Sequence, residues 1–413
     1  IPAPSNNFAP RFSVSYSFNN KTVIRAGYGV FWARFHGFGL NTLLLGNGLF
    51  QPNIYVTPST AGSPVFPNVF TSAAGLPSGT VNLQFAAPDF HNPYTQQGNL
   101  SIERELARDL GLTVSYIWSR GIGIYTQRDV NLGAVGPRVT YTIQDAAGNN
   151  VSTYSTNVYV TANKMDSRYG KILQVENGGQ SWYNGLAVQL RKRMSRGLSG
   201  SIAYTWSHAI DTANQGGASW NIGWNYNNVT TPGDYRADKG SSTLDQRHRA
   251  VINFLWEPKF TKSTSTAARF LVNGWQLSAI TTMASARPAA ATVNVSGSQF
   301  PGVSLTYTTL NGSGGWTRVP FWPVNSLDVD QLYRVDARVS RSLPFGERVR
   351  AYLNFEAFNA FNTITNTSIN TQAYVASGGV LRPTANLGTG TASQGFPDGT
   401  NARRAQVSLR VVF

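Results

Sequence analysis

The last eleven residues, Arg403-Arg-Ala-Gln-Val-Ser-Leu-Arg-Val-Val-Phe413, constrain the fold more than any other stretch. Ala405, Val407, Leu409, Val411 and Phe413 fall on one face, and Arg404, Gln406, Ser408 and Arg410 on the other. Side chains alternate across a strand, so this segment predicts a strand with an apolar medium on one flank and water on the other. A soluble sandwich also contains such strands. What separates the two readings is whether the pattern recurs along the chain.

It recurs through about eleven strands. The first, Pro10 to Phe18, sets Phe12, Val14, Tyr16 and Phe18 against Arg11, Ser13, Ser15 and Ser17. The second carries Ile24, Ala26, Tyr28, Val30 and Trp32 on its apolar side. Further strands are expected over Gln96–Leu106, Leu112–Arg120, Tyr183–Met194, Ser199–His208, Arg247–Trp256, Asn273–Met283, Leu332–Leu343, Arg348–Ala360 and Arg403–Phe413. The connections alternate in length. Short turns lie at Asn19–Lys21, Ala107–Gly111, Arg196–Leu198 and Pro344–Glu347, and long polar stretches at 36–94, 133–182, 214–246, 288–331 and 366–402. Short turns at one rim and long loops at the other are the arrangement of a transmembrane antiparallel up-and-down β-barrel, with short turns periplasmic. Tryptophans agree: Trp32, Trp118 and Trp206 lie some way along strands that leave short turns, and Trp256 and Trp275 flank a turn. Two girdles result, one at each interface.

Composition excludes the other route across a membrane. The chain of 413 residues is 41% hydrophobic with a mean hydropathy of −0.21, and no apolar run approaches the ~20 residues of a membrane helix. A spanning chain of this kind must form a closed barrel, because hydrocarbon cannot satisfy exposed strand-edge amides. Ile1-Pro-Ala-Pro-Ser-Asn-Asn has neither the basic start nor the apolar core of a secretory leader, so the sequence reads as a mature protein or a fragment. The absence of cysteine fits a surface protein that folds without disulfides. A net charge of +15 raises the question of nucleic acid. The basic residues are dispersed in turns and along strands, with no nucleic-acid-binding motif, and read as rim and lumen charge.

The order of short motifs resembles the C-terminal half of a TonB-dependent outer-membrane receptor, in particular the Oar-like group. They are Asn7-Phe-Ala-Pro-Arg-Phe12 running into Lys21-Thr-Val-Ile-Arg-Ala-Gly-Tyr-Gly-Val-Phe31; Asn92-Pro-Tyr-Thr-Gln-Gln with Asn99-Leu-Ser-Ile-Glu-Arg-Glu105; Tyr183-Asn-Gly-Leu with Gln189-Leu-Arg-Lys-Arg193; Tyr204-Thr-Trp-Ser207; Asp245-Gln-Arg-His248; and Asn354-Phe-Glu-Ala-Phe-Asn-Ala-Phe-Asn362. The resemblance implies a barrel of roughly 22 strands, a plug in the lumen and a TonB box at the periplasm. Plug, TonB box and first half-barrel are not in this sequence. Phe413 must end a descending strand, so counting back assigns the chain roughly strands 12 to 22 of such a barrel. The expectation is that both edge strands pair with protein outside this sequence, most simply the other half of the same receptor. Implied partners are that half-barrel and its plug, the TonB system acting through the plug, the bilayer and lipopolysaccharide of a Gram-negative outer membrane, and the barrel-assembly machinery reading Phe413, Val411, Leu409 and Val407. No nucleic acid and no cofactor are implied.

No catalytic constellation emerges, and the chain is not read as an enzyme. His36, His91, His208 and His248 are scattered, and Asp328-Val-Asp330 lacks a calcium loop's ligand spacing. Gly312-Ser-Gly-Gly315 follows no strand-to-helix pattern, so it is no phosphate cradle. Charges of both signs point to the lumen: Arg334, Asp336, Arg338, Arg350, Glu356, Arg404 and Arg410, with Glu103, Glu105, Arg191 and Arg249. They are tolerable there only against water or polar protein, so they either dock a plug or line a hydrated wall. Two aromatic loops are candidate ligand surfaces, one with Trp220, Trp224 and Tyr226 and one with Trp316 and Trp322. The same rings also suit packing of loop against loop. Uptake of a bulky solute (sugar, peptide or metal chelate) leads the functional readings. An Oar-like adhesion, export or structural role and a passive porin are the alternatives.

Overall fold

Eleven antiparallel strands build one continuous wall. In this computed structural model the described residues are 7–34, 43–46, 53–54, 62–70, 81–212, 227–262, 272–345, 349–393 and 402–413. The wall strands are β1 (Arg11–Asn19), β2 (Thr22–Trp32), β3 (Tyr94–Ala107), β4 (Leu110–Asp129), β5 (Tyr169–Ser195), β6 (Leu198–Asp211), β7 (His248–Trp256), β8 (Trp275–Ala284), β9 (Leu332–Phe345), β10 (Val349–Phe358) and β11 (Arg404–Val412). Each pairs with its sequence neighbour, so the sheet is a meander. Tight turns join β1 to β2, β3 to β4 and β5 to β6 at its lower rim. Between β5 and β6, Arg196 and Gly197 both take positive φ (51° and 78°), the two-residue turn whose twist matches a hairpin.

The register settles which side chains share a face. Tyr116 of β4 stands opposite Leu100 and Leu186, and Leu186 opposite Trp206. Trp256, Leu277, Val339, Phe355 and Val407 likewise form one row across β7 to β11. Side chains of that face stand open although apolar: Phe12, Val14, Tyr16, Leu100, Tyr116, Ile202, Trp206, Phe254, Phe355, Val407 and Leu409 are all exposed. On the opposite face of the same strands lie Ser13, Ser15, Arg25, Asn99, Glu103, Thr113, Gln189, Arg191, Asn253 and Asn354. An apolar face that no protein covers is the one hydrocarbon covers. The wall is open. Among the described residues β1 and β11 each pair on one side only, and not with each other.

The long connections depart from the expectation of plain polar loops. Residues 169–182, placed by sequence in the 133–182 loop, instead continue β5. Likewise β4 runs nine residues past Arg120, and the ladder between them reaches Asp129 opposite Leu173. Polar side chains hid this extension, because no lipid-facing alternation is required beyond the membrane. Above the stem, strands from three connections form one five-stranded sheet in the order Thr292–Val295, Gln372–Ser377, Val380–Pro383, Arg138–Gln144, Asn150–Asn157. Its pairings alternate between parallel and antiparallel. Val139, Tyr141, Ile143, Val293, Val295, Ala376 and Leu381 close beneath it into a dry core, joined by Val158, Leu310 and Val319. Among the described residues the larger of the two apolar cores thus sits in this cap, above the membrane-facing wall. A second stem cluster packs Leu43, Ala87, Phe90 and Val175 against Tyr125, with Phe90 stacked on Tyr125 at 5.0 Å.

Candidate functional site: lumen wall and capped mouth

On the inner face of β9 and β10 the predicted charges meet. Arg334 is buried and its Nε lies 2.9 Å from Asp336 Oδ1, which also accepts the Asn359 backbone N–H at 2.8 Å. Arg338 Nε donates to Glu356 Oε1 at 2.8 Å across the strand pair. Arg25 of β2 pairs with Glu103 of β3 at 3.1 Å, and Arg249 donates to Gln246 Oε1 at 3.1 Å. Arg404 lies 5.5 Å from the centroid of the Phe358 ring. Arg350 and Arg410 stand exposed near the short-turn end of the same face. Glu105 and Arg191 line a hollow of about 610 Å³ at that rim with Lys21, Glu103 and Arg193. The wall therefore offers a ladder of neutralised pairs along β9 and β10 and exposed cations below it. A polar body filling the lumen meets hydrogen-bonding groups at both levels.

At the mouth the predicted aromatic residues fare differently. Trp220, Trp224 and Tyr226 lie outside the described residues. Trp322 is half-buried and meets Tyr374 edge-to-face at 5.8 Å against the cap core. Trp316 is also half-buried, with the Arg318 guanidinium 5.8 Å from its ring centroid. Loop packing engages both rings. Asp330 accepts the Asn366 backbone N–H at 2.8 Å. Of the histidines, His91 bonds Asn177, His208 sits by Arg247 and His248 bonds Tyr204, while His36 lies outside the described residues. At the other end of the wall, Val407, Leu409 and Val411 face outward from β11, and Phe413 is 97% exposed at the short-turn rim.

Two buried polar knots fasten the cap, and sequence reasoning missed both. In the first, the Asp129 carboxylate accepts the backbone N–H groups of Asn131 (2.9 Å) and Ile172 (3.0 Å) and the Tyr307 hydroxyl (2.7 Å). Burial, then the Asp129 charge and its hydrogen bond, hold the Tyr307 hydroxyl well above the usual tyrosine range. In the second, Arg318 Nε meets Asp238 Oδ1 at 2.7 Å, with both side chains almost wholly buried. Thr230 caps the same carboxylate through its backbone N–H (2.6 Å) and hydroxyl (2.7 Å). Charged residues in Gly/Asn-rich loops look solvated in sequence. Only the fold shows that they lock one connection to another.

An exposed apolar belt, a charged inner face and a capped far rim are the features of a membrane wall, and sequence comparison agrees. The profile of the outer membrane beta barrel domain matches residues 1–406. The chain belongs to that family. As an outer membrane beta barrel domain it resides in the outer membrane, with short turns at the periplasmic rim and the cap outside. No curated protein matches the chain. Among solved structures, the outer membrane transporter YddB from Escherichia coli superposes with a TM-score of 0.51 at 11% identity, over 98% of this chain and 40% of that one. The ferripyoverdine receptor of Pseudomonas aeruginosa superposes at 0.46 and 9% identity, over 98% and 32%. The siderophore receptor PiuA from Acinetobacter baumannii does so at 0.45 and 10%, over 97% and 35%. The chain spans less than half the length of each of these proteins.

Proposed function

We propose that this domain is the later half of the barrel of a TonB-dependent receptor, serving energised uptake of a bulky solute across the outer membrane. The carrying observation is the pairing of an open eleven-stranded wall with an inner face of ordered charge. An edge strand in hydrocarbon leaves a row of amides unsatisfied, so β1 and β11 require further strands, and roughly 22 strands enclose a lumen wide enough to need a plug. The paired residues of β9 and β10 would then bond that plug, and work done on it by TonB would open the path. The domain's part is wall, mouth and assembly signal. Its role is transport and not catalysis.

The test uses the full reading frame that contains this domain. The expected result is an N-terminal plug and TonB box, binding of the full-length protein to the periplasmic domain of TonB, and loss of that binding when the box is deleted. A full-length protein with no plug and no TonB binding would overturn the proposal and leave a passive porin. One observation favours a second reading. A cap with its own dry core is a ready-made surface, which suits Oar-like adhesion or export. Stable capture of a surface partner by the cap, without solute uptake, would favour that reading.

A further inference from the structure

The two edges of the cap sheet are finished differently. Along Thr292–Val295, residues 317–319 close the backbone: Val293 N–H donates to Thr317 O and Val319 N–H to Ala291 O, both at 2.8 Å, and Thr292 bridges Arg318. Along the other edge, the eight-residue strand Asn150–Asn157 pairs with Arg138–Gln144 and, among the described residues, with nothing on its far side. All eight residues are exposed or half-buried. The Val158 N–H donates to Pro137 O at 3.0 Å, and bonded pairs alternate along an antiparallel ladder. Thr156, Tyr154 and Ser152 therefore bond inward, while Asn157, Ser155 and Thr153 turn their N–H and C=O groups to the open side. Among the described residues the Asn157 carbonyl alone of these is taken, by the Thr156 hydroxyl at 3.1 Å. Proteins blunt such an edge with lysine, proline, a bulge or a cover. Asn-Val-Ser-Thr-Tyr-Ser-Thr-Asn carries no charge and no proline, and its one register shift lies at the turn end, beside Gln144.

Each face beside the open edge has its own chemistry. On the inner face Tyr154 is half-buried, 5.3 Å from Phe321 at the margin of the cap core. An apolar side chain from a further strand would extend that core. Val139, Tyr141 and Ile143 point into the core, which leaves Arg138, Thr140, Thr142 and Gln144 on the outer face. Arg138 stands opposite Asn157. Arg382 shares the outer face from the next strand, one residue past Leu381, which pairs with Ile143. Both arginines are exposed, and neither meets a carboxylate among the described residues. Asp145, in the turn between the two strands, accepts the N–H groups of Ala147 (2.9 Å) and Asn149 (2.8 Å) of that turn.

We infer that the Asn150–Asn157 edge takes up an extended segment of another protein outside the cell, adding a sixth strand to the cap sheet. That segment alternates apolar residues, which cover Tyr154, with polar residues that include a carboxylate beside Arg138. Backbone hydrogen bonds to Thr153, Ser155 and Asn157 supply affinity, and the two faces supply selectivity. A second copy of this chain fits less well, because it brings the same Arg138 to the same edge and a net charge of +15. The inference needs only that the cap lies outside the membrane, and does not rest on energised uptake.

Hydrogen exchange of the full-length protein in detergent tests it, with a short synthetic peptide that alternates valine and threonine and carries one terminal glutamate. The peptide should slow exchange at Thr153, Ser155 and Asn157 and leave the Thr292–Val295 edge unchanged. Methylating its alternate backbone nitrogens removes the donors that face the edge and should weaken binding at least about tenfold. S155P, which sets a ring on the open side without removing a ladder bond, should do the same. Unchanged exchange over residues 138–144 shows that this variant keeps the cap folded. R138Q should weaken the glutamate peptide about two- to fivefold, as loss of an exposed ion pair does, and should not affect a glutamine peptide. No added protection at Thr153, Ser155 and Asn157, or binding indifferent to methylation of the peptide, would overturn the inference. So would a dimer trapped by a bifunctional thiol reagent at T153C without peptide, which would give the edge to a second copy.

Discussion

At the residue scale the buried Arg318–Asp238 pair makes the sharpest demand. Two charges removed from water are tolerable only together, and removing one leaves the other uncompensated. R318A should destabilise the cap by about 3–5 kcal/mol, whereas R318M/D238N should cost clearly less. Hydrogen exchange of residues 227–242 measures both, and equal costs would show that the pair is not coupled. Tyr307 gives a pH prediction. Its proton is held more tightly in the fold than in the unfolded chain, so the stabilisation is complete below the ordinary value of 10.0 and is lost as pH rises above it. Exchange in the cap should therefore accelerate above pH 10, and Y307F should lessen that acceleration. On the wall, D336A leaves the buried Arg334 without its carboxylate. If this pair also docks a plug, sensitivity to a bulky antibiotic should rise. Unchanged sensitivity would mean the charges only line a hydrated surface.

At the element scale the strands were legible because hydrocarbon on one side and water on the other enforce a period of two. All eleven wall strands lie where alternation placed them; β4 and β5 run well past their expected ends, whereas β10 and β11 begin and end one or two residues inside theirs. The register makes a direct contrast between faces. F355R puts a charge in lipid and should cost about 2–4 kcal/mol, while N354R points to the lumen and should be tolerated. Thermal shift of the heat-modifiable form measures the difference. The cap was not legible, and the reason is distance in sequence. Val139, Tyr141 and Ile143 alternate as well as any wall strand, but their partners come from residues 291–319 and 373–381. The Tyr141 hydroxyl bonds the Leu310 carbonyl 169 positions away. Local pattern shows a strand and does not show which distant segment buries it. Leu381 is fully buried in that core, so L381A should loosen the cap by about 2–5 kcal/mol and leave barrel heat-modifiability unchanged.

At the scale of the whole molecule, two bodies with different solvents share one chain. Among the described residues, the wall's eleven strands enclose no dry core comparable to the cap's. The wall's apolar side faces lipid and its polar side is held in cross-strand pairs, while the cap folds as a soluble domain would. Alternation groups these charges on one face, but the neutral ladder of β9 and β10 and the exposed Arg350 and Arg410 below it emerge only from register. The proposed function requires that this wall be one arc of a larger barrel. The chain itself has no cysteine, so any engineered cysteine within it is the sole thiol of this half. The decisive measurement is disulfide trapping in the full-length protein in native outer membranes, comparing S15C/S408C, on the two edge strands, with the adjacent-strand pair S201C/N253C. The adjacent pair should cross-link and the edge pair should not. A cross-link between β1 and β11 would mean that the sheet closes on itself as a small pore, and would contradict a larger barrel.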